Sequence, residues 1–576
     1  MFFRWGRRAD ALDWRHIAMR TCMDRRLLGC AILAGAVVTA SFQLSAWGAE
    51  PVERRFDRIF AAYDRPDSPG CAVGVYRDGR LVFARGYGRA NLEWNIPITP
   101  RSVFDIGSTS KQFTATAIVL LAEEGKLSLD DDVRKFLPEL PDYGQTITLR
   151  HLLNHTSGLR DYLGLMDLAG IPTENWTTED DALAIIVRQK EANFAPGERW
   201  AYSNTGFFLL SQVVKRVSGQ TLRQFAEARI FQPLGMTHSH YHDDHGMIVA
   251  GRATAYAPEA KGWRIDMSNF EQLGDGAVMT TVEDLLRWDT NFYRNRLGQA
   301  APGLIRTLAA PGRLANGDVL DYGLGLVVGN WRGLATVSHG GAWAGYRAEL
   351  FRIPGEKLAV ACLCNFASAD PSAFARQVAA VYLDGRLQPP PPEPMVKLDA
   401  EQLKTWLGTY RDVYAGNLWR IVLEDGQLKL KTATATARLV ARSAEEFRVV
   451  GLPAEFNVRF EPMRGGGARL VRIENGRRAA TFEPAVAYQP TAAQLAALAG
   501  EYRNDDVGAS AWVSAKDGKL QVAFGRRTNT ATFSPTVRDG FYGSGIALDF
   551  AADAFVLRLR DGLKLRYVRR GSLPPA

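Results

Sequence analysis

Cysteine is scarce in this chain: five in 576 residues, two of them before residue 50. That excludes a disulfide framework of the kind that staples small secreted domains, so buried apolar side chains must hold the fold. Long apolar runs are scarce as well. One, Leu27 to Ala40, is too short for a comfortable membrane span. No Lys/Arg stripe with interleaved aromatics occurs, which argues against nucleic-acid binding despite a net charge of +8. About half of that excess sits before Glu50, where seven Arg face three Asp.

Arg25-Arg26 precede the apolar run, and the small residues Ser45-Ala46-Trp47-Gly48-Ala49 follow it. Residues 1–49 therefore read as a signal peptide cleaved near Gly48 or Ala49, with an uncleaved anchor as the alternative. Leu27-Leu28-Gly29-Cys30 lies at the start of the run instead of its end, so it is not read as a lipoprotein box. The expectation is an exported protein, periplasmic or secreted, without a membrane span once cleaved. Cys71, Cys362 and Cys364 remain. Cys362 and Cys364 share one face of an apolar run and read as small buried hydrophobes. One of them could pair with Cys71 if their strands are neighbours.

What is present exceeds a single core. Val52, Phe56, Ile59, Phe60 and Tyr63 recur at helical spacing and predict an amphipathic opening helix. Cys71 to Val75 and Leu81 to Arg85 flank Arg77-Asp78-Gly79-Arg80, a hairpin signal. Further strand-like runs are Leu334 to Val337, Tyr346 to Arg352 and Leu358 to Cys364, with a helix from about Ala373 to Leu383. Between the two sets the pattern is mostly helical, as in Phe113 to Glu124 and Phe207 to Val217. An α+β domain over 50–386 fits: an antiparallel sheet built from both ends, with a helical insertion.

A stiff linker, 387–396, follows and contains Pro389 to Pro392 and Pro394. Beyond it, short alternating runs are separated by turns such as Asp425-Gly426 and Asn475-Gly476, which is all-β patterning. This tail repeats itself at an offset of 92 residues: Leu407-Gly408-Thr409-Tyr410-Arg411-Asp412 matches Ala499-Gly500-Glu501-Tyr502-Arg503-Asn504. Two small barrels or curved sheets are expected, at 397–488 and 489–576. Trp406, Tyr410 and Tyr502 read as their core.

Three short strings carry the chemistry. Ser108-Thr109-Ser110-Lys111 offers a hydroxyl nucleophile and an amine three residues on, on one face if Ser108 opens a helix. Tyr202-Ser203-Asn204 offers a phenol and an amide at i and i+2, which point the same way on an extended segment. His339-Gly340-Gly341 offers an imidazole on a bare strand edge, where a backbone can pass close to a ligand. Together they form the kit for acyl transfer through a serine ester.

In this order and context the strings resemble the penicillin-recognising serine hydrolases: class C β-lactamases, D-Ala-D-Ala carboxypeptidases, esterases and D-aminopeptidases. The resemblance spans Val52 to Asp384, and includes Phe104-Asp105-Ile106-Gly107, Leu152 to Leu159, Pro196-Gly197-Glu198, Pro233-Leu234-Gly235-Met236 and Gly274-Asp275-Gly276-Ala277. It implies Ser108 as the acylated nucleophile and Lys111 as its activator, through its charge or as a base. Tyr202 becomes a proton shuttle, a phenolate held by Lys111, and Asn204 a partner for the substrate amide. The oxyanion hole falls to the N–H groups of Ser108 and Ala342, with His339 and Gly341 beside the substrate. No cofactor and no metal are implied. Where β-lactamases carry Lys-Thr-Gly this chain has His339-Gly340-Gly341, which weakens the case for β-lactam hydrolysis and resembles the D-aminopeptidase subgroup with its two C-terminal barrels. In that subgroup a loop of the last barrel supplies acidity for the substrate amine, and Asp539 is one candidate for it.

Plainer readings stand beside these. Ser108 and Lys111 also fit a helix cap and a solvated lysine, Tyr202 a turn, and His339 a strand-end histidine bonded to backbone. His238, His240, His242 and His245 with Asp243 and Asp244 look like ligands, but zinc sites more often draw on separated elements, so no metal is assigned. His151 and His155 read as capping or packing residues. The expectation is a serine hydrolase acting on a small molecule or short peptide, a peptidoglycan-derived one among the candidates, with D-aminopeptidase-like activity. The alternatives are a carboxylesterase, a D-Ala-D-Ala carboxypeptidase or weak β-lactamase, and, in another class, a catalytically silent envelope sensor.

Overall fold

The computed structural model describes residues 50–571 apart from 173, 299–302, 389–395, 453–455, 465, 475–476, 526–529 and 560–561. The leader expected over 1–49 and the prolines of the expected linker lie outside the described residues. No helix among the described residues is long and apolar enough to cross a membrane.

Six strands form the first sheet: β1 (Cys71–Arg77), β2 (Arg80–Tyr87), β3 (Val327–Trp331), β4 (Leu334–Trp343), β5 (Tyr346–Ile353) and β6 (Leu358–Cys364). Their order is β3-β4-β5-β6-β1-β2, every neighbour antiparallel, so the two ends of the segment do meet in one sheet. Five helices matter here: α1 (Val52–Phe60), α2 (Lys111–Glu123), α3 (Asn204–Ser218), α4 (Val282–Tyr293) and α5 (Pro371–Tyr382). Helices cover both faces, which is why the central strands read as continuous apolar runs. Along β1, Cys71, Val73 and Val75 pack with Phe56 and Phe60 of α1 and Val378 of α5. Ala72 and Tyr76 pack on the opposite side, in the core that includes Phe113 and Ile118 of α2. The period of two sorts the side chains between layers.

The Cys71–Cys364 disulfide crosslinks β1 to β6 at a directly paired register position, leaving Cys362 as a free, buried thiol. The sequence reading had left that pairing open. β3 was not anticipated, because Gly329 and Asn330 interrupt the apolar cue given by Val327, Val328 and Trp331. It matters for the site: β3 stops opposite Ser338, while β4 continues to Trp343 paired only with β5. His339 therefore lies inside a strand, not at its end, but on an edge freed of its outer neighbour.

Two closed eight-stranded barrels follow, over Gly408–Pro484 and Gly500–Gly571. The repeat is legible bond by bond. Tyr410 Oη donates to Trp406 O at 3.1 Å, and Tyr502 Oη to Leu498 O at 2.9 Å. A capping box, Asp399 with Gln402, opens the first barrel's helix, and Thr491 with Gln494 opens the second's. The second barrel leans on the catalytic unit, where Arg160 Nη2 donates to Lys564 O at 3.0 Å and Gln189 Nε2 to Asp506 O at 3.0 Å.

Candidate active site

A cavity of about 510 Å³ opens between the β4 edge and the helical layer, lined by Ser108, Tyr202, Asn204, Asp275, His339 and Ala342 among others. Ser108 sits in a 3₁₀ turn, Gly107–Ser110, that leads directly into α2. In a 3₁₀ turn residues i and i+3 eclipse, so Lys111 stacks on Ser108 more closely than an α-turn allows. Asp105 braces the turn by accepting the Gly107 N–H at 2.7 Å, and burial pushes its carboxyl up to about 7. Gly107 has φ 50°, the left-handed region, and a Cβ there would lie 2.7 Å from Ala342 N. The N–H groups of Ser108 and Ala342 are thus brought to one place. A Cβ on Gly341 would fall 1.8 Å from Ile106 O. Gly341 lines the cavity, as expected, but what forbids a side chain is the serine turn pressed against it, not a ligand. Thr109 Oγ1 ties the same turn to β4 by donating to His339 O at 3.0 Å.

Lys111 is fully buried, because α2 is buried around almost its whole circumference. Its Nζ contacts Ser108 Oγ at 3.0 Å, Asn204 Oδ1 at 2.9 Å and the main-chain oxygen of Asp275 at 2.5 Å. Burial lowers its pKa, partly opposed by the carboxylates of Asp275 and Asp161. All three contacts suit the N–H donors of an ammonium. Once the amine loses a proton, the last two keep its N–H groups and its lone pair is left for the Ser108 hydroxyl.

Tyr202 departs from expectation. Its hydroxyl bonds Ser108, and desolvation raises its pKa above the ordinary phenol value. Lys111 Nζ lies 4.9 Å from the ring centroid, over the face of the phenol. A resting phenolate paired with that ammonium is therefore not what the geometry provides. Asn204 departs too: it is the first residue of α3, with only Ser203 extended before it. Its Oδ1 receives Lys111, and its Nδ2 donates to Asp161 Oδ2 at 3.0 Å. The amide thus positions Lys111, and it keeps one lone pair and one N–H toward the cavity it lines.

His339 is buried, and its pKa falls to about 4 because the site desolvates the imidazolium and Lys111 repels it. Its Nδ1 lies 2.6 Å from Gly340 O, so Nδ1 carries the proton and Nε2 must accept from Tyr322 Oη at 2.8 Å. Tyr322 Oη then accepts from His155 Nε2 at 3.1 Å, and His155 Nδ1 accepts the Ser203 N–H at 3.2 Å. Each donor and acceptor in this chain has one consistent assignment. His155 also lays its ring 4.2 Å from that of Tyr202, centroid to centroid. Burial pushes its pKa well down as well.

The sequence pattern does not single out Tyr322 or Asp161, and it reads His155 as a capping or packing residue. Asp161 accepts from the main chain at Leu163, Gly164 and Asn204, so it looks like an ordinary cap while holding Asn204 in place. The non-glycine left-handed φ of 58° at His155 is invisible in sequence. His151 does cap, with Thr148. The clustered histidines do not form one ligand set: His238 neighbours Asp284, the rings of His240 and His242 lie 5.7 Å apart with Arg252 3.3 Å from His242, and His245 gathers with Asp244 and Glu271. Asp539 is not among the cavity-lining residues. It turns between two strands of the last barrel, where its neighbour Arg538 stacks over Tyr488. Barrel stretches that do reach the catalytic unit include those around Asp506, Lys564, Gly525 and Gly562, the last against Arg199 beside cavity-lining Trp200, and Arg199 also stacks on Tyr414 of the first barrel.

A sequence profile described as Beta-lactamase matches residues 56–384. A D-aminopeptidase of Gluconobacter oxydans is 29% identical over 363 residues, 63% of this chain and 67% of that protein. A D-aminopeptidase of Cereibacter sphaeroides is 28% identical over 457 residues, 79% and 83% of the two chains. The octameric penicillin-binding protein homologue from Pyrococcus abyssi superposes with a TM-score of 0.53 at 25% identity, covering 75% of this chain and 99% of that one.

Proposed function

The chain belongs to the Beta-lactamase family and is a D-aminopeptidase-like serine hydrolase, and we propose that it releases a D-configured residue from small amides or short peptides by acylation of Ser108. The observation that carries the reading is Lys111 Nζ, buried and 3.0 Å from Ser108 Oγ with two other acceptors occupying its N–H groups. The D preference is supported by the D-aminopeptidases to which the chain is similar.

The steps follow from the proton inventory. Ser108 Oγ attacks the substrate carbonyl while its proton passes to the Lys111 lone pair. The oxyanion develops against the N–H groups of Ser108 and Ala342, at the start of a buried helix. Neutral Tyr202, already bonded to Ser108, hands its proton to the departing amine and is refilled from the Lys111 ammonium. Water then attacks the ester, giving one proton to Lys111, which returns it to Ser108 Oγ as the ester bond breaks, while the acid product keeps the other and loses it to solvent. His339, held neutral, supplies shape and a fixed hydrogen bond but no charge for a drug carboxylate, which favours a peptide or amide over a β-lactam.

Export to an oxidising compartment is part of the same proposal, supported by the residue pattern from Arg25 to Ala49 and by the Cys71–Cys364 crosslink. The test is a panel of D- and L-alanine p-nitroanilides, short acyl esters and a chromogenic cephalosporin, with wild type beside Ser108→Ala. D-Alanine anilide turnover that vanishes in the variant is expected. Turnover that survives Ser108→Ala overturns the mechanism, and a preference for esters or L-residues overturns the substrate.

A further inference from the structure

Three carboxylates line the cavity, and two are committed to the backbone. Asp105 holds the Gly107 N–H, and Asp370 caps α5 by accepting the Ala373 N–H at 2.9 Å. Asp275 differs. Its residue is 8% exposed, and its carboxylate accepts from a phenol, Tyr162 Oη, at 3.2 and 3.4 Å and from its own backbone N–H. Lys111 bonds the main-chain oxygen of Asp275 and not the carboxylate, on which it acts only through space. A buried carboxylate whose hydrogen-bond partners are all neutral is costly to keep charged, and burial accordingly pushes its pKa up. A cation delivered by the substrate would relieve that cost.

The geometry puts such a cation in reach. Lys111 Nζ bridges Ser108 Oγ and the Asp275 main chain with contacts of 3.0 and 2.5 Å. In an aminoacyl serine the amine nitrogen is two carbons from that oxygen, about 3–4 Å away. We propose that Asp275, steadied by Tyr162, anchors the free α-ammonium of the acyl residue and so makes a free amino terminus the specificity determinant of Ser108. This rests on the D-aminopeptidase-like reading.

The experiment compares the methyl esters of D-alanine, N-acetyl-D-alanine and D-lactic acid in wild type, which needs no variant to fold. Asp275→Asn, checked for wild-type thermal unfolding, is then run on the same three. In wild type the free amine is expected to be favoured in kcat/KM by at least about thirtyfold over both others, the scale of a lost partner for a buried charge. In Asp275→Asn that ratio is expected to fall below about threefold, chiefly through KM. Equal handling of the three esters by wild type overturns the inference. So does a loss in Asp275→Asn that is the same on all three, since that is the signature of a residue tuning Lys111. If wild type turns over none of them and Ser108 takes up no acyl group, it is the hydrolase reading that fails.

Discussion

The catalytic unit and the two barrels bury opposite things. Around Ser108 the interior holds Lys111, His155, His339, Asp105 and Asp275, each with a pKa displaced by burial. The barrel interiors hold rings: Trp406 stacked 4.7 Å from Phe460, Trp419 4.1 Å from Phe482, Phe555 4.9 Å from Tyr567. Barrel charges pair at the surface, as Arg478 with Glu461 and Arg459 with Glu446. Stability and reactivity are thus separated in space. The polar core is held by a network of hydrogen bonds, whereas the barrel cores are held chiefly by buried apolar area.

The largest break in this contrast is Lys111→Met. It should cost at least about a thousandfold in kcat/KM, since it removes the base, while thermal unfolding should hold or rise because a buried amine is gone. A lowered unfolding temperature with retained activity would contradict the assignment. Next, Trp406→Ala should destabilise the first barrel by about 3–5 kcal/mol in denaturant titration and leave kcat per folded molecule unchanged. The pH profile sharpens the comparison from the catalytic side. Because burial lowers the Lys111 pKa, kcat/KM should rise with pH along a limb below the ordinary lysine range, and no limb should appear near pH 6.5 from His339, which is already neutral there.

Smaller is Tyr322→Phe, which deletes the hydroxyl between His155 and His339. About a tenfold drop in kcat is expected, with His339 gaining a more ordinary titration by NMR. Smallest is Glu461→Gln in a partly exposed ion pair, worth below about 1 kcal/mol by chemical unfolding and nothing in activity.

Much of this was legible beforehand. Short apolar runs announced β1, β5 and β6, and helical spacing announced α1. The offset repeat foretold the paired barrels, since the Tyr410 and Tyr502 bonds recur with it. Ser108 and Lys111 were legible because a nucleophile and its base lie within one turn. β3 was not, because its burial pattern is weak and its pairing with β4 is non-local. Nor was the resting state of Tyr202, because a pKa depends on what surrounds a hydroxyl, and those neighbours come from four separate segments.

The sequence by itself determined which reactive groups exist, their order along the chain and the periodicities that build sheet, helices and barrels. Those are local properties, set within a few residues by sterics and apolar spacing. Only the tertiary structure decided that Lys111 loses its solvent, that His339 is neutral with a fixed tautomer, and that Asn204 faces inward. It also decided that Asp275, and not Asp539, lies beside the nucleophile. Each of those turns on distances between residues tens to hundreds of positions apart, where desolvation and hydrogen-bond partners are assigned by packing and leave no periodic trace in the chain.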